Sequence, residues 1–369
     1  MTPVWLATPS RFARWSSGHA RAVLGIALAL MALCLLSPEY RTPAAEAAPS
    51  PVIEIADSDL GLYDAIAERI RHGGHYYQVA TQEMRARVGY PLRPFVTVRP
   101  PLLAEIQATL PRWAAHGLLY LLTVAVALAW IGRITDAFPD GAARIIAALL
   151  LGGGLFTAIQ PFLFPSHELW AALLIALSLG VRRPGRWVEA AALALAAMLI
   201  RELAALYAVI MLAFAWVEGE RRESIGWGVV LAIFAAAVAA HAWAVSQVTG
   251  PLDLASDGWT GLNGVWFFVQ TVRHATVLEA FPYLVAIPLV PLALIGWASW
   301  RDPAGARAFA TFAGYGLLIA LAARLNNFYW GLMIAPVFLL GLAFAPDGVR
   351  DLWRAATNHR RITVTRVQR

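Results

Sequence analysis

Apolar runs of membrane-crossing length recur along the whole chain and constrain its fold more than any motif does. A bilayer core takes about 20 apolar residues per helix, with roughly 17 to 25 in practice. Runs of that character lie near residues 20–37, 115–132, 145–163, 168–181, 187–200, 203–217, 225–246, 282–299, 308–323 and 328–345. The chain is 59% hydrophobic and 14% charged, with a mean hydropathy of +0.61. A soluble domain sits nearer half apolar and a quarter charged. The expectation is an all-α polytopic membrane protein of about ten transmembrane helices.

The stretch 187–217 could be one long tilted helix or two short ones meeting at Arg201-Glu202, and the arginines decide between them. All 29 basic residues are arginine. With a hairpin at 201–202 and the N-terminus inside, eighteen fall in cytoplasmic segments, against Arg201, Arg273 and Arg324 in short outer loops. The other eight lie in 38–114, a segment too long for the positive-inside bias to bind. A single helix would put the later arginine loops outside, so two helices are expected. Placed this way the arginines orient spans, and they give no reason to expect nucleic acid. The predicted arrangement is a cytoplasmic N-terminus (1–19), a transmembrane domain (20–346) containing an outer loop (38–114), and a basic cytoplasmic tail (347–369). The setting is an inner (plasma) membrane, with both termini cytoplasmic. Residues 20–37, with Arg11, Arg14 and Arg21 before them and "TPAAEAAPS" after, also fit a cleaved leader. Either way the next segment is outside. Cys34 is the only cysteine, so no internal disulfide can form.

The outer loop is not a plain tether. After Asp59, Leu62, Ile66 and Ile70 recur every four residues and Gly73-Gly74 ends the stripe, which predicts an amphipathic helix beside the membrane. A second helix is expected over "HYYQVATQEMRARVG", and the prolines of "YPLRPFVTVRPPLLA" predict an extended, pinned stretch.

These residues resemble the GT-C glycosyltransferases, multi-span enzymes that take a sugar from a polyprenyl-phosphate carrier on the outer side of a membrane. The resemblance rests on "DSDLGLY" (57–63), "GGHYY" (73–77), "YPLRP" (90–94), "PSHELW" (165–170) and "LIRELAALY" (199–207). It covers about residues 20–217, and its motifs are short. It implies a GT-C-like fold with two interfacial helices, a polyprenyl-phosphate-sugar donor, a lipid or glycan acceptor, and a site facing the periplasm or exterior among membrane lipids.

Such transfer needs a base, cations for the departing phosphate and a groove for the prenyl chain. Asp59 is the favoured base and Asp57 the alternative; Asp59 also fits a helix N-cap. Arg201, Arg324, Arg93 and Arg99 are candidates for the donor phosphate, because guanidinium presents a planar fork. For Arg201 the competing reading is a local pair with Glu202, and for Arg324 it is snorkelling to the surface. Glu168, His167 and Glu202 could place an acceptor or, with Asp59, hold a divalent cation (Mg or Mn), although no metal-spacing motif occurs. Tyr63, Tyr76, Asn326, Asn327 and Tyr329 could bond sugar hydroxyls. His241 reads as a packing histidine, and loop 247–281 has both sugar-binding and interfacial composition. The runner-up function is a transporter or lipid-translocating carrier, which would want ionisable groups near mid-span.

Overall fold

The computed structural model describes residues 3–37, 59–259 and 261–357. Within these residues the chain is all helix and turn, with no strand beyond two isolated bridges. In chain order the α-helices are α1 (Ser17–Leu36), α2 (Asp59–Arg71), α3 (Tyr76–Ala86), α4 (Leu102–Thr109), α5 (Arg112–Ala137), α6 (Gly141–Leu155), α7 (His167–Val181), α8 (Val188–Ile200), α9 (Ala205–Val217), α10 (Arg221–Ser246), α11 (Val265–His274), α12 (Tyr283–Ser299), α13 (Pro303–Ala322), α14 (Ala335–Phe338) and α15 (Gly341–Thr357).

Five stretches among the described residues are long and apolar enough to cross a membrane: α1, α5, α6 with its 3₁₀ extension to Ile159, α10 and α13. Their exteriors suit hydrocarbon, since Leu28, Leu121 and Leu149 are 66%, 68% and 71% exposed. The apolar helices α7, α8, α9 and α12 are shorter; the 15 residues of α7 span about 22 Å, less than a hydrocarbon core of about 30 Å. The expected span at 328–345 is not one helix. It divides into a 3₁₀ stretch, Leu325–Met333, then α14, then the start of α15. Pro336, whose missing N–H is best tolerated at a helix start, stands at the first turn of α14. Gly341 then lets backbones touch, because a Cβ there would lie 2.3 Å from the Ala293 carbonyl oxygen.

The expected tail also begins as part of the folded body. In α15, Asp347 accepts hydrogen bonds from the backbone N–H groups of Val4 (2.6 Å), Trp5 (2.8 Å) and Leu6 (2.9 Å), and Asp351 accepts one from Ser10 Oγ (2.8 Å). Both carboxylates are buried, and they tie residues 4–10 to α15. Residues 358–369 lie outside the described residues.

Two helices meet at Arg201, as the arginine distribution requires. The residue leaves the helical conformation (φ −143°, ψ 114°), and a short 3₁₀ turn, Glu202–Ala204, leads into α9. Both outer ends of the pair return to one end of the bundle. Trp187 packs on the Gly226 position, and the Arg182 guanidinium pairs with Glu223 (2.7 Å) and Glu218 (3.8 Å). Helix α7 therefore runs from an end bearing His167, Glu168 and Arg201 to an end bearing Arg182. Helix α13 runs between the same ends, from Asp302 to the turn that carries Asn327 and Tyr329.

The core between the ends is aromatic. Trp297 is fully buried against Trp130, Phe312 and Phe344 and donates to the Phe338 carbonyl at 3.0 Å. The small residues of α6 serve close packing: a Cβ on Gly154 would lie 2.6 Å from the Pro336 carbonyl oxygen.

Candidate functional site

The outer-loop helices form as the periodicity predicts, and their buried faces cap the first end of the bundle. Leu62, Tyr63 and Ile66 of α2 pack with Val79, Ala80 and Met84 of α3. The proline-rich run is pinned as expected, by bonds from the Leu92 and Arg93 N–H groups to the Leu254 carbonyl (2.9 and 3.2 Å) and by the buried Val98. His241 fills the packing role read for it, its Nε2 at 3.0 Å from the Val98 carbonyl oxygen and its Nδ1 at 3.2 Å from the Tyr77 hydroxyl.

Under this cap lies a cluster of ionisable groups drawn from six separate parts of the chain. Asp59, at the first turn of α2, accepts a hydrogen bond from the Tyr90 hydroxyl (2.9 Å). Arg99 donates from Nε to the Tyr63 hydroxyl (3.0 Å), and its Nη2 reaches the Tyr329 hydroxyl at 3.5 Å. The Tyr76 hydroxyl donates to the Arg99 carbonyl (2.5 Å), so Tyr76 holds the backbone beneath that guanidinium. Arg201 pairs with Glu168 on one side (2.6 Å) and with Glu202 on the other (3.0 Å). The first contact is close but out of line for a hydrogen bond, and the Glu168 oxygen and Arg201 Nε are otherwise without partners. Asn327 Nδ2 donates to the Tyr329 hydroxyl (3.3 Å).

The two arginines differ in what neutralises them. Arg201 is committed to carboxylates, whereas Arg99 is bonded by phenols and lies 4.0 Å from its nearest carboxylate oxygen, on Glu168. Burial alone would lower the Arg99 pKa. The phenols of Tyr63 and Tyr329 and the carboxylates of Glu168 and Glu202 outweigh it and hold this guanidinium well above its usual value. Burial raises the Tyr63, Tyr76 and Tyr90 phenols, so each stays protonated and able to donate.

A tight cavity at the cluster is lined by Tyr63, Tyr76, Tyr90, Arg99, Gln107 and His167 among others. His167 is 3% exposed, sits edge-on to Tyr63 (4.6 Å between ring centroids), and has neither ring nitrogen hydrogen-bonded. An unpartnered buried polar ring beside a cavity is costly unless something in the cavity meets it.

Not every predicted residue joins the cluster. Arg93 turns away, donating from Nε to the Asp253 carbonyl (2.8 Å). Arg324 caps the Leu325–Met333 turn and reaches Ser256 Oγ at 3.4 Å, so it stands behind Asn327 and Tyr329. Asn326 is exposed. Asp57 lies outside the described residues. The local Arg201–Glu202 pair is present, and it coexists with the longer-range pair to Glu168. Two contributors were not singled out from sequence as site residues. Tyr90 was visible only as the first letter of "YPLRP". Gln107, which bonds the Phe164 carbonyl at 3.0 Å, carried no signal at all.

Among the described residues no group of three or more His, Cys, Asp or Glu side chains is arranged to hold a metal. The best oxygen donor, Glu168, already lies against one guanidinium and near a second.

The chain was compared with family models, curated proteins and solved structures, and nothing matched in any of the three.

Proposed function

We propose that the chain is an integral-membrane glycosyltransferase that moves a sugar from a polyprenyl-phosphate donor to a lipid or glycan acceptor at the end of the bundle carrying Asp59. The observation that carries this reading is the meeting of Asp59, Arg99 and Arg201, far apart in sequence, around the phenols of Tyr63 and Tyr329. The Asp59 and Arg99 charges both act on each of these phenols.

The roles follow from the contacts. The acceptor hydroxyl gives its proton to the Asp59 carboxylate as its oxygen bonds the anomeric carbon. The bond from that carbon to the phosphate oxygen breaks, and the electron pair leaves with the lipid phosphate. Tyr90 orients Asp59 through its hydrogen bond. Arg99, lacking a hydrogen-bonded carboxylate, takes the phosphate charge. Arg201 fixes Glu168, and Asn327 with Tyr329 offers donors and acceptors to sugar hydroxyls. A carrier would want charges at mid-span, whereas Arg201 and Glu168 stand at helix ends.

The test is release of lipid phosphate from radiolabelled polyprenyl-phosphate sugars by the purified protein. Asp59→Asn is expected to cut turnover by about 10²–10⁴-fold, the range of a general base. Arg99→Lys should weaken use of the donor by about tenfold or more, because the planar fork is lost, while Arg93→Lys leaves it unchanged. Full activity in Asp59→Asn, or no release with any donor, defeats the proposal.

A further inference from the structure

The opposite end of the bundle carries a second site, which the transferase reading does not use. Arginines and carboxylates gather there, and Arg350 of α15 takes both Asp347 (3.0 Å) and Asp351 (2.7 Å). Three more carboxylates are taken by inner arginines: Asp302 by Arg133 (3.0 Å), Glu223 by Arg182 (2.7 Å) and Glu218 by Arg307. Arg11, Arg14 and Arg301 are left with no carboxylate of their own among the described residues.

These three line an open bowl of about 520 Å³ together with Phe214, Pro303 and Glu218. The chain fixes two of them reciprocally. Arg11 donates to the Trp300 carbonyl (3.0 Å), one residue before Arg301, and Arg301 donates to the Ser10 carbonyl (3.2 Å), one residue before Arg11. Backbone bonds therefore hold two like charges as neighbours. Arg14 makes no protein hydrogen bond among the described residues and is exposed. Burial, and then the Arg301 charge, hold the Arg11 guanidinium below its usual range, with Asp302 only partly opposing them. Past Phe214, one helical turn on, Val217 is apolar and 83% exposed.

We propose that this bowl binds a phosphate-bearing anion, and specifically the headgroup of an anionic membrane lipid, between Arg11, Arg14 and Arg301. Guanidinium pairs bind phosphate oxygens in a planar, bidentate way, and basic pockets among membrane helices are suited to acidic headgroups. The exposed Val217 one turn from Phe214 gives the acyl chains an apolar surface that a free ion does not need. The inference is independent of the transferase reading.

The experiment uses the full-length purified protein in lipid nanodiscs, with thermal stability and retained lipid as readouts. Phosphatidylglycerol is expected to be retained at least tenfold over phosphatidylcholine and to raise the melting temperature. Arg11→Gln/Arg14→Gln/Arg301→Gln should abolish that preference, whereas Arg221→Gln/Arg222→Gln should preserve it. Should the triple variant not fold, Arg14→Gln alone, at a side chain with no structural bond, is expected to weaken retention severalfold. Inorganic phosphate is the second probe. Stabilisation by phosphate equal to that by phosphatidylglycerol would reject the lipid and assign the bowl to a free anion. A preference that survives the loss of these arginines, or none in the wild type, overturns the site.

Discussion

Asp253 shows how a single residue can link the cap to the loops around the candidate site. Its carboxylate takes a two-point bond from Arg85 of α3 (2.8 and 2.7 Å) and also accepts from the Gly250 N–H (2.8 Å). The Arg85 bond, followed by the Gly250 bond, lowers its pKa from 3.8 to about 2. A depressed carboxylate stabilises the fold fully above its unfolded value, near 3.9, and loses that contribution as pH falls through its folded value. Arg85 is 42% exposed, so solvent screening keeps the effect within about 1 kcal/mol. Asp253→Asn should therefore melt earlier than wild type at pH 6, and the gap should narrow below about pH 4. Thermal melts across that range check this; a gap that widens on acidification would contradict the assignment. Loop 247–281 was legible from sequence only as polar and aromatic. Nothing in its composition told Asp253 from Asp257, because the choice depends on where α3 ends relative to the loop.

At the scale of elements, the join between α8 and α9 is held by charge in a place where helix formation alone would run straight through. Ala-rich sequence on both sides favours one continuous helix. Arg201 breaks it, with a guanidinium buried to 4% exposure between Glu168 of α7 and Glu202. Removing one member of a buried pair strands the other charge, at a cost of about 3–5 kcal/mol, while replacing both with neutral groups costs far less. Arg201→Gln and Glu168→Gln are each expected to lower stability strongly. The double variant should recover most of the loss, which a double-mutant cycle of melting temperatures reads directly. Simple additivity would mean that the two side chains do not hold the turn. The positions of this break, of α2 and of α3 were all legible, since arginine distribution and apolar spacing are local or statistical properties of sequence. The Glu168 contact and the division of 328–345 were not. Both depend on partners brought up by tertiary packing, Arg201 for the first and Thr271 and Ala293 for the second.

For the whole molecule, the two charged regions are separated by the lengths of α7 and α13 and differ in kind. One sets acids, phenols and arginines beside a narrow cavity lined by phenols, Arg99 and His167; the other turns Arg11, Arg14 and Arg301, none of them ion-paired among the described residues, toward a wide bowl. If the chain crosses the bilayer along these helices, the two regions meet different aqueous compartments. The single cysteine makes this measurable, because Cys34 is buried and Cys34→Ala gives a background free of thiols. In that background, cysteine placed at His72, in the turn after α2, should react with a membrane-impermeant maleimide from one side of sealed vesicles. Cysteine at Glu220, between α9 and α10, should react only from the other. Both positions are exposed, so lack of labelling would reflect sidedness and not burial. Labelling of both from the same side would put the acid–arginine cavity and the basic bowl in one compartment. It would also remove the orientation on which an outward-facing transfer site and a separate lipid-binding end both depend.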